Sequence, residues 1–423
     1  MPKQNPIKAL HLLSNWRWTE RSEVVADLVS AEKKAGHASQ LICGQPPEDC
    51  KTGTVVEHSR KKGVEPIQLE MTKHLRVLPA LRDLPKIRRI LCEQVPHVTN
   101  CHMPNAHLLG AVAHHLPSPD RPLLVRTSYE ADGPEFTLRS KLLFKRDTDG
   151  LAVLSNHAKK QAAARFGFPE DRIAVIEPGV DLERFNTNIP RTAARARFHI
   201  LDDDFVVGMA SRIQSKRRID LLLKAATLLK NKIPRLKLLI IGKGKPQQEV
   251  LTPARQMGIA DRIILPGYQE GANFVSALRA MDVFYFPVGG TDESCRTVRE
   301  AMASGCATIG GLTGFIPELV EEGKTGLLTD LSPETTAERI WQLYTNRDLL
   351  TNLQVEAARS SQKRFPLALQ AKKSLSFYRH LLHSTSEVCR SLTGSSRRKG
   401  NPGKCNLLLT IGLSFFIIGD LYD

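Results

Sequence analysis

Two carboxylates eight positions apart, Asp292 and Glu300, carry the strongest chemical signal in this chain of 423 residues. A carboxylate accepts two hydrogen bonds at once, which suits it to a vicinal diol. An Ala-Met-Ala run follows Glu300 and ends at Gly305, so we expect Glu300 to open a helix. The N–H groups at such a helix start favour an anion between the two acids. A solvated loop and helix is the alternative for the same residues.

Apolar runs on either side of this pair are typical of buried strands in a parallel sheet. The run at 205–210 leads into a basic turn at 211–218 and an amphipathic run at 219–229. In an open α/β sheet, ligands bind at the carboxyl ends of the strands, where this turn falls. The pattern predicts a doubly wound sheet with the acid pair in a strand-to-helix connection. Further strand-like runs lie at 236–244, 263–268, 283–287 and 307–311.

The order and spacing of these motifs resemble glycosyltransferase family 4, the group 1 retaining nucleotide-sugar transferases of GT-B fold. The resemblance covers residues 7–382 and is densest from 206 to 328. It implies an α/β architecture of two Rossmann-like doubly wound domains facing a cleft, with the donor bound by the C-terminal half and the acceptor by the N-terminal half. The motifs that carry it are Arg212, the Gly242 and Gly244 turn, Pro266-Gly267-Tyr268, the acid pair with Ala301-Met302-Ala303, Pro317-Glu318-Leu319-Val320 and the run at 323–328.

The resemblance gives catalytic roles to four residues. Arg212 and Arg217 match a cationic pair that binds the donor diphosphate and stabilises the departing nucleotide, and Lys216 is a substitute for the second. Preorganised cations stabilise the charge that develops on phosphate oxygens during departure. Glu300 matches the acid that holds the ribose, and Asp292 stands where the first acid contacts the transferred sugar. A solvated basic turn is the alternative for the cations.

The other predicted donor contacts are less specific. Gly242 and Gly244 either approach the nucleotide or form only a tight turn. Tyr268 either lines the base pocket or is a core aromatic residue. The stretch before Glu300 departs from the Gly-Phe-Gly type usual in the family, which leaves the identity of the transferred sugar open. Its residues complete the predicted donor set: Ser294, Cys295, Arg296 and Thr297.

Alternating strand-like and helical runs also fill the N-terminal half and predict a second Rossmann-like domain there. We expect an acceptor-binding domain at 1–190 and a donor-binding domain at 191–365. A helix at 366–383 should cross back onto the first domain, as the resemblance implies. A basic linker and a short apolar tail follow at 384–423.

The loop after the first strand contains Trp16 and Trp18, where many relatives carry a Gly-rich loop. A loop rich in Trp and Arg suits stacking on a sugar and binding of an anionic acceptor, with local packing of the two rings as the alternative. Many relatives also carry a His after the strand that ends near Thr127, and this chain has Ser-Tyr-Glu instead. His102 and Glu130 are the predicted acceptor contacts in this region, against a purely structural role.

No metal and no cofactor is expected. Two Asp-x-Asp strings, at 147–149 and 202–204, each precede an apolar run, so helix ends or turns explain them. Transfer would then need neither a metal nor an obvious side-chain nucleophile. The same-face mechanism often proposed for the family, in which the leaving phosphate helps to take the acceptor proton, is consistent with these residues.

The formal net charge of +16 and the pI of about 9.6 permit nucleic acid, an anionic membrane or phosphorylated ligands as partners. Basic residues at 73–89 intersperse with leucines at near-helical spacing, interrupted by Pro79 and Pro85. This segment is able to lie on an anionic membrane as a peripheral contact, but a helix with its apolar side in the core and its charges in water is the preferred interpretation. No contact with nucleic acid is expected.

The eight cysteines are scattered without CxxC spacing, and residues 2–6 run directly into a predicted strand. We therefore expect reduced thiols, no secretory leader and a cytoplasmic location. The apolar run at 407–419 is shorter than the ~20 residues that span a bilayer. With its basic flank it is an anchor at the inner face of the plasma membrane, a tail that packs on the protein, or a C-terminal segment without a function.

The resemblance, together with these residues, implies a retaining transferase that moves a hexosyl unit from a UDP- or GDP-sugar to a glycan or lipid-linked acceptor. Synthesis of surface polysaccharide or lipopolysaccharide is the expected setting, by family analogy alone. The departures at Asp292-Glu293 and at the missing His leave an alternative, a nucleotide-sugar or glycan-binding protein without turnover. Among enzymes, a GT-B epimerase or phosphorylase is the alternative, although the chain shows no motif for a phosphorylase's cofactor-binding Lys.

Overall fold

The computed structural model describes residues 5–50, 52–115, 121–289 and 292–393, including their side chains except at 292–294 and 385–393. Within this part of the chain, each half forms one parallel sheet with helices between successive strands. The predicted pair of doubly wound sheets is therefore confirmed. The first ten residues of the predicted linker, 384–393, belong to a helix that ends at Thr393. The rest of the predicted linker and the apolar tail, from residue 394 onward, lie outside the described residues.

The first half provides one sheet and its covering helices. Its strands are β1 (Lys8–Leu13), β2 (Ala38–Gly44), β3 (Ile67–Leu69), β4 (Val98–Cys101), β5 (Leu123–Thr127), β6 (Gly150–Val153) and β7 (Ile173–Val175). Its helices are α1 (Glu20–Lys34), α2 (Val55–Lys61), α3 (Val77–Gln94), α4 (Pro104–His115), α5 (Leu138–Arg146) and α6 (Asn156–Phe166).

The second half provides the other sheet. Its strands are β8 (Phe205–Ala210), β9 (Leu236–Ile241), β10 (Ile263–Gly267), β11 (Val283–Phe286), β12 (Ala307–Gly311) and β13 (Gly326–Thr329). Its helices are α7 (Arg191–Ala196), α8 (Ile219–Leu229), α9 (Thr252–Gln256), α10 (Gly271–Ala280), α11 (Asp292–Ala303), α12 (Ile316–Leu319), α13 (Pro333–Thr345) and α14 (Arg347–Arg364), and the final described helix is α15 (Leu367–Thr393).

Both sheets have a switch in strand order at the strand that comes first in sequence. The orders are β3-β2-β1-β4-β5-β6-β7 and β10-β9-β8-β11-β12-β13. Connections on the two sides of β1, and likewise of β8, run in opposite directions and leave a crevice at the carboxyl ends of the strands. The loops after β1, β4 and β5 in one sheet, and after β8, β9 and β11 in the other, lie at these edges. They contain most of the predicted site residues.

Continuous apolar sequence explains the central strands. All six residues of β8 are buried, and β1 is buried from Ala9 onward. A strand covered by helices on both faces has no solvent side, so it shows no polar alternation. The same reasoning predicted the run at 205–210 from sequence.

Helix α11 corrects one expectation. It begins at Asp292, eight residues before Glu300, so Glu300 lies in its last turns and does not open it. Cys295, Val298 and Met302 recur at helical spacing and are fully buried, so the segment before Glu300 already has an apolar helical face. The predicted end is right, because Gly305 follows the helix with φ +75, the left-handed conformation that glycine adopts easily.

The chain crosses between the halves twice, and the two crossings touch. The Val180 N–H donates to the carbonyl oxygen of Phe365 at 2.8 Å, and the Gly179 N–H donates to Gln370 Oε1 at 2.9 Å. A Cβ on Gly179 would lie 2.8 Å from the Cα of Leu367, so this approach requires glycine. Helix α15 then packs on the first sheet, where the Asn100 amide donates to the Tyr378 hydroxyl at 2.8 Å.

Among the described helices, none has the length and apolar character to cross a membrane.

Asp282 ties helix α7 to the second sheet. Its carboxylate accepts hydrogen bonds from Arg191 at 2.6 Å, from Arg195 at 2.7 Å and from the backbone N–H of Val206 at 2.7 Å. The Arg195 side chain is 5% exposed and that of Asp282 is 7% exposed. Removing one partner of such a pair leaves the other charge buried and uncompensated.

We expect Asp282→Asn to lower the free energy of unfolding by about 3 kcal/mol, because it leaves the buried guanidinium of Arg195 without its counter-charge. Urea denaturation followed by circular dichroism measures the change. Asp220→Asn is the matched control, since that carboxylate is 45% exposed and pairs with Lys224 at 3.4 Å. The control should stay within about 0.5 kcal/mol of the parent, and equal losses in the two variants would contradict the expectation.

Candidate functional site

The basic turn after β8 lies at the carboxyl edge of the second sheet. Arg212 and Lys216 are exposed there, whereas Arg217 is partly buried in a 3-10 turn, Ser215–Arg217. The Nε of Arg217 is buried without a hydrogen-bond partner among the described residues, and so is the side-chain nitrogen of Gln214. Buried donors normally have partners, so an unsatisfied guanidinium N–H here is suited to an anionic oxygen of a ligand.

Gly242 and Gly244 hold the loop after β9 against this turn. Their φ angles are +151 and +149. A Cβ would lie 1.9 Å from the carbonyl oxygen of Ser211 at the first position and 2.1 Å from that of Ile213 at the second. The Ile213 N–H donates to the Lys243 carbonyl at 2.8 Å. Packing between the two loops therefore accounts for both glycines.

Tyr268 stands at the end of β10 and is 51% exposed, so it is not a core residue. The Nζ of Lys243 lies 4.0 Å from the centre of its ring. Burial, followed by the carboxylate of Glu270 and more weakly by Glu20 and Glu23, raises the pKa of the Tyr268 hydroxyl. The last two acids belong to α1, so the ring lies near the first half of the molecule.

The acid pair lies on one helix. Eight residues of α-helix separate Asp292 from Glu300 by about 12 Å along the axis. The Asp292 side chain falls outside the described side chains. Glu300 is 4% exposed and accepts a hydrogen bond from Arg296 Nε at 2.8 Å. Burial raises the pKa of the Glu300 carboxyl, and the Arg296 guanidinium opposes that shift.

The residues between the two acids point in different directions. Cys295 is fully buried and faces the core, so its side chain lies away from the cleft. Arg296 turns toward α1, where it lies 3.1 Å from Glu23. Thr297 is partly buried, and the side chain of Ser294 lies outside the described ones. Sequence reasoning named Arg296 as a donor contact and missed its partner Glu23, which no local spacing indicates.

The tryptophan loop after β1 is held by its neighbours. The Trp18 N–H donates to the Gly53 carbonyl at 2.8 Å, and the Trp18 ring stacks on His58 with 4.6 Å between ring centres. Local packing therefore accounts for Trp18, the alternative left open by the sequence. Trp16 is partly exposed, with the Arg17 guanidinium 4.9 Å from its ring centre. Trp18 is also partly exposed, so burial does not distinguish the two rings.

His102 belongs to a buried chain of hydrogen bonds and does not face the cleft. Glu32 Oε2 lies 2.9 Å from His11 Nε2, His11 Nδ1 lies 2.9 Å from His102 Nε2, and His102 Nδ1 lies 2.7 Å from the Tyr129 hydroxyl. All four side chains are at most 1% exposed. Burial holds the pKa of His102 well below its usual range. A direct acceptor contact would require these bonds to break.

The hydrogen bonds of this chain depend on one another through the histidine tautomers. Where His11 Nε2–H donates to Glu32, His11 Nδ1 is left as an acceptor for His102 Nε2–H. His102 Nδ1 in turn accepts from the Tyr129 hydroxyl. The chain thus orients Tyr129 in the loop after β5, the place where the family resemblance expects a His. Because its members come from separate strands and α1, sequence spacing gave no signal for it.

Glu130, in the same loop, lies between two guanidinium groups. Its oxygens are 3.7 Å from Arg21 and 4.0 Å from Arg126, and its side chain is 30% exposed. The two arginines hold the pKa of the carboxyl below its usual value, against the effect of burial. Sequence reasoning missed both arginines, although Arg126 is a charged residue within an apolar strand run, which is a usable signal.

A cavity of about 300 Å³ lies between the two halves, beside the second crossing. On its wall, the Glu318 carboxylate accepts from the backbone N–H groups of Asn156 at 2.8 Å and His157 at 2.7 Å, at the start of α6. Arg364 bonds Glu177 at 2.7 Å. The Glu318 motif that supported the family resemblance therefore joins the two halves through a helix N-terminus. The cavity is lined by Leu154, Asn156, Val175, Glu177, Arg299, Phe315, Glu318, Leu319 and Arg364.

Among the described residues, no group of three or more His, Cys, Asp or Glu side chains is placed to hold a metal ion.

Two family models match this chain in consecutive segments. Glycosyltransferase Family 4 matches residues 22–184, and Glycosyl transferases group 1 matches residues 190–360. The first match covers most of the first sheet, and the second covers all of the second sheet. The predicted family is therefore confirmed by two separate matches.

Curated relatives match the chain in part. The D-inositol 3-phosphate glycosyltransferase of Mycolicibacterium smegmatis is 32% identical over 207 residues, 47% of this chain and 46% of that protein. The GDP-mannose-dependent alpha-(1-6)-phosphatidylinositol monomannoside mannosyltransferase of the same organism is 31% identical over 207 residues, 45% of this chain and 52% of that protein. The matches span about half the length of these relatives.

Solved structures match over most of the chain at low identity. Anabaena HepE in complex with UDP and glucose has a TM-score of 0.71 at 17% identity, over 88% of this chain and 98% of that one. The lipopolysaccharide outer core galactosyltransferase WaaB in its apo form has a TM-score of 0.66 at 15% identity, over 90% and 100%. At these identities the likeness shows the fold, and the predicted GT-B architecture is confirmed.

We expect Gly242→Ala to destabilise the protein more than Gly258→Ala. Both positions have positive φ, but nothing lies within 4 Å of a Cβ at Gly258. The control should therefore cost only backbone strain, about 1 kcal/mol. At Gly242 the added clash with the Ser211 oxygen should raise the loss in unfolding free energy to about 2–4 kcal/mol, measured by urea denaturation. Equal losses would mean that the two loops are not held together as described.

Proposed function

Because this chain belongs to the glycosyltransferases of group 1 and family 4, we propose that it is a retaining hexosyltransferase that uses a UDP- or GDP-sugar. The acceptor is a glycan or a lipid-linked sugar. The observation that carries the proposal is the set of cations at the carboxyl end of β8, including a buried Arg217 N–H with no partner among the described residues. HepE was solved with UDP, and one relative is GDP-mannose-dependent, which supports the donor class.

The donor diphosphate would lie between the basic turn and the start of α11. Arg212 and Arg217 would stabilise the charge on the departing phosphate, with Lys216 as a further cation. The first-turn N–H groups of α11 would face the same anion. We assign this stabilisation to the side-chain cations and not to a metal ion.

The sugars of the donor would be held along α11. Glu300 would accept hydrogen bonds from the ribose diol, and Asp292, about 12 Å nearer the helix start, would contact the transferred hexose. Tyr268 would stack on the base, since half of its surface is open, and Gly242 and Gly244 would hold the neighbouring loop close. In a same-face reaction, the leaving phosphate would help to take the acceptor proton.

The acceptor would bind at the opposite edge. Trp16 offers a partly exposed ring for stacking, and Glu130 with Arg21 and Arg126 offers charged contacts. The two guanidinium groups around one carboxylate suit an acceptor with an anionic group. His102 would act only through Tyr129, whose hydroxyl it holds.

The setting we propose is the cytoplasmic face of the plasma membrane, in polysaccharide or lipopolysaccharide synthesis. Helix α3 supports it, because Leu78 and Leu81 are 67% and 51% exposed on a helix whose Ile87 and Ile90 are buried in the core. Pro79 and Pro85 do not interrupt α3, contrary to the sequence expectation. Pro79 falls in the first turn, where its missing N–H costs nothing. Exposed basic residues flank the two leucines: Arg76, Arg82, Lys86 and Arg89.

We expect one nucleotide class to raise the melting temperature of the protein, and Arg217→Met and Glu300→Gln each to weaken donor binding at least tenfold. That is the effect of losing one charge-assisted hydrogen bond. Titration with UDP-glucose, UDP-galactose, UDP-N-acetylglucosamine and GDP-mannose measures it. Lys224→Met on α8 is the control, since that lysine is 51% exposed and pairs with Asp220 at 3.4 Å.

A flat response of the parent protein to all four donors at millimolar concentration would refute the proposal. Donor binding without nucleotide release on any glycan acceptor would favour the alternative, a nucleotide-sugar-binding protein. The departures at Asp292 and at the missing His motivate that alternative.

We expect Leu78→Ser with Leu81→Ser to reduce sedimentation of the protein with vesicles of anionic lipid several-fold, because apolar area and basic charge act together at a membrane surface. Leu228→Ser on α8 is the matched control, since Leu228 is also 51% exposed. Both variants are compared in the full chain and in a chain ending at residue 393, which separates α3 from the apolar tail. Equal binding by the double variant and the control would rule out contact through α3.

A further inference from the structure

A cluster of charges joins helix α11 to helix α1 across the cleft. The Arg296 guanidinium lies 2.8 Å from Glu300 and 3.1 Å from Glu23, and it reaches the Glu20 carbonyl oxygen at 3.5 Å. The side chains of Arg296 and Glu300 are 5% and 6% exposed, and that of Glu23 is 19% exposed. The Arg296 side chain thus contacts both Glu300, the residue proposed to bind the ribose, and the opposite half of the molecule.

The cluster contains further charged groups. Glu23 also lies 3.5 Å from Lys62, which follows α2, and 3.9 Å from Arg184 in the crossing between the halves. Lys62 in turn lies 2.6 Å from Asp27. With Arg296 and Glu300 these make three carboxylates and three cations, so the charges balance.

Such a network is costly to bury. Taking ions out of water costs several kcal/mol each, and an apolar contact of similar size is often as stable. Stability alone is therefore a weak reason for a charged contact between α1 and α11. Its position beside Glu300 points to a role in binding.

We propose that Arg296 is a positioning residue that fixes the Glu300 carboxylate for the donor and at the same time ties α11 to α1, so that donor binding and closure of the two halves are coupled. This inference rests on the proposed function of Glu300. It adds a specific residue and a mechanism to that function. Because the same guanidinium contacts Glu300 and Glu23, a change in its contact with one carboxylate alters its contact with the other.

The protonation of Glu300 provides a distinctive test. Burial already raises the pKa of this carboxyl, Arg296 is the strongest opposing group, Glu23 raises the pKa further and Arg184 lowers it. Without Arg296 the pKa would rise more. A neutral carboxyl loses the charge that strengthens its hydrogen bonds to a diol. As pH falls, a variant without Arg296 should therefore lose donor affinity at a higher pH than the parent does.

Glu23→Gln makes an opposite change on the same network. It weakens the tie to α1 but leaves the Arg296–Glu300 contact in place. Because the Glu23 charge raises the pKa of Glu300, its removal should move the loss of donor affinity to lower pH. Two variants that both break the contact between the halves should thus shift the pH profile in opposite directions.

The experiment uses the full chain with UDP-glucose and GDP-mannose as probes, titrated calorimetrically from pH 5.5 to 8.5. Arg296→Met should bind at least tenfold more weakly at pH 7, with its affinity midpoint about one unit higher in pH. Arg296→Lys should restore part of the donor affinity at pH 7 and part of the parent's pH midpoint. Arg235→Met, which removes a cation that is 45% exposed, is the control and should match the parent.

Small-angle scattering without donor tests the tie separately. Arg296→Met and Glu23→Gln should both increase the radius of gyration, and the control should not. An unchanged pH midpoint in Arg296→Met, or an unchanged radius of gyration in both variants, would overturn the inference. If the parent protein still binds the donor in that case, the proposed function stands. Absence of donor binding by the parent would overturn both. Circular dichroism on every variant identifies any that fails to fold, and Arg296→Lys then carries the test.

Discussion

The whole arrangement depends on two chain crossings that bond to each other. The backbone contact between Val180 and Phe365, and the close approach of Gly179 to Leu367, fix where one sheet stands relative to the other. These crossings contribute to bringing the loops at the two carboxyl edges together. The charges between α1 and α11, and the bond from Glu318 to the start of α6, then lie on either side of the cleft. The positions of the proposed ligand contacts depend on these crossings and on the contacts between the halves.

The elements themselves were largely predictable. Buried parallel strands must be continuously apolar, so runs such as 205–210 were evident in the sequence. The start of α11 was predicted wrongly, because the Ala-Met-Ala run alone indicated a helix that begins at Glu300, whereas α11 begins at Asp292. The apolar positions Cys295 and Val298 already continued its face upstream. Helical spacing over the full segment therefore indicates a helix that begins before Glu300.

The sequence names candidate site residues but not the contacts they make. Family motifs made Glu300 and Arg217 candidates, yet they gave no indication that Glu23 would face Arg296 or that His11 would bind His102. Those partners are distant in sequence and meet only through the sheet topology. Local departures from a family pattern, such as Arg296, are therefore where structure adds most. A motif that supports the family resemblance can also have a structural role, since Glu318 forms a contact between the two halves.

Helix α15 has a consequence for the order of synthesis. Its residues Leu375, Tyr378 and Leu381 complete one apolar layer of the first sheet, against Ile7 and Val125. A ribosome releases that sheet long before the helix that covers it. The N-terminal half therefore has an open apolar face until helix α15 emerges, and during that interval it is exposed to aggregation and to chaperones.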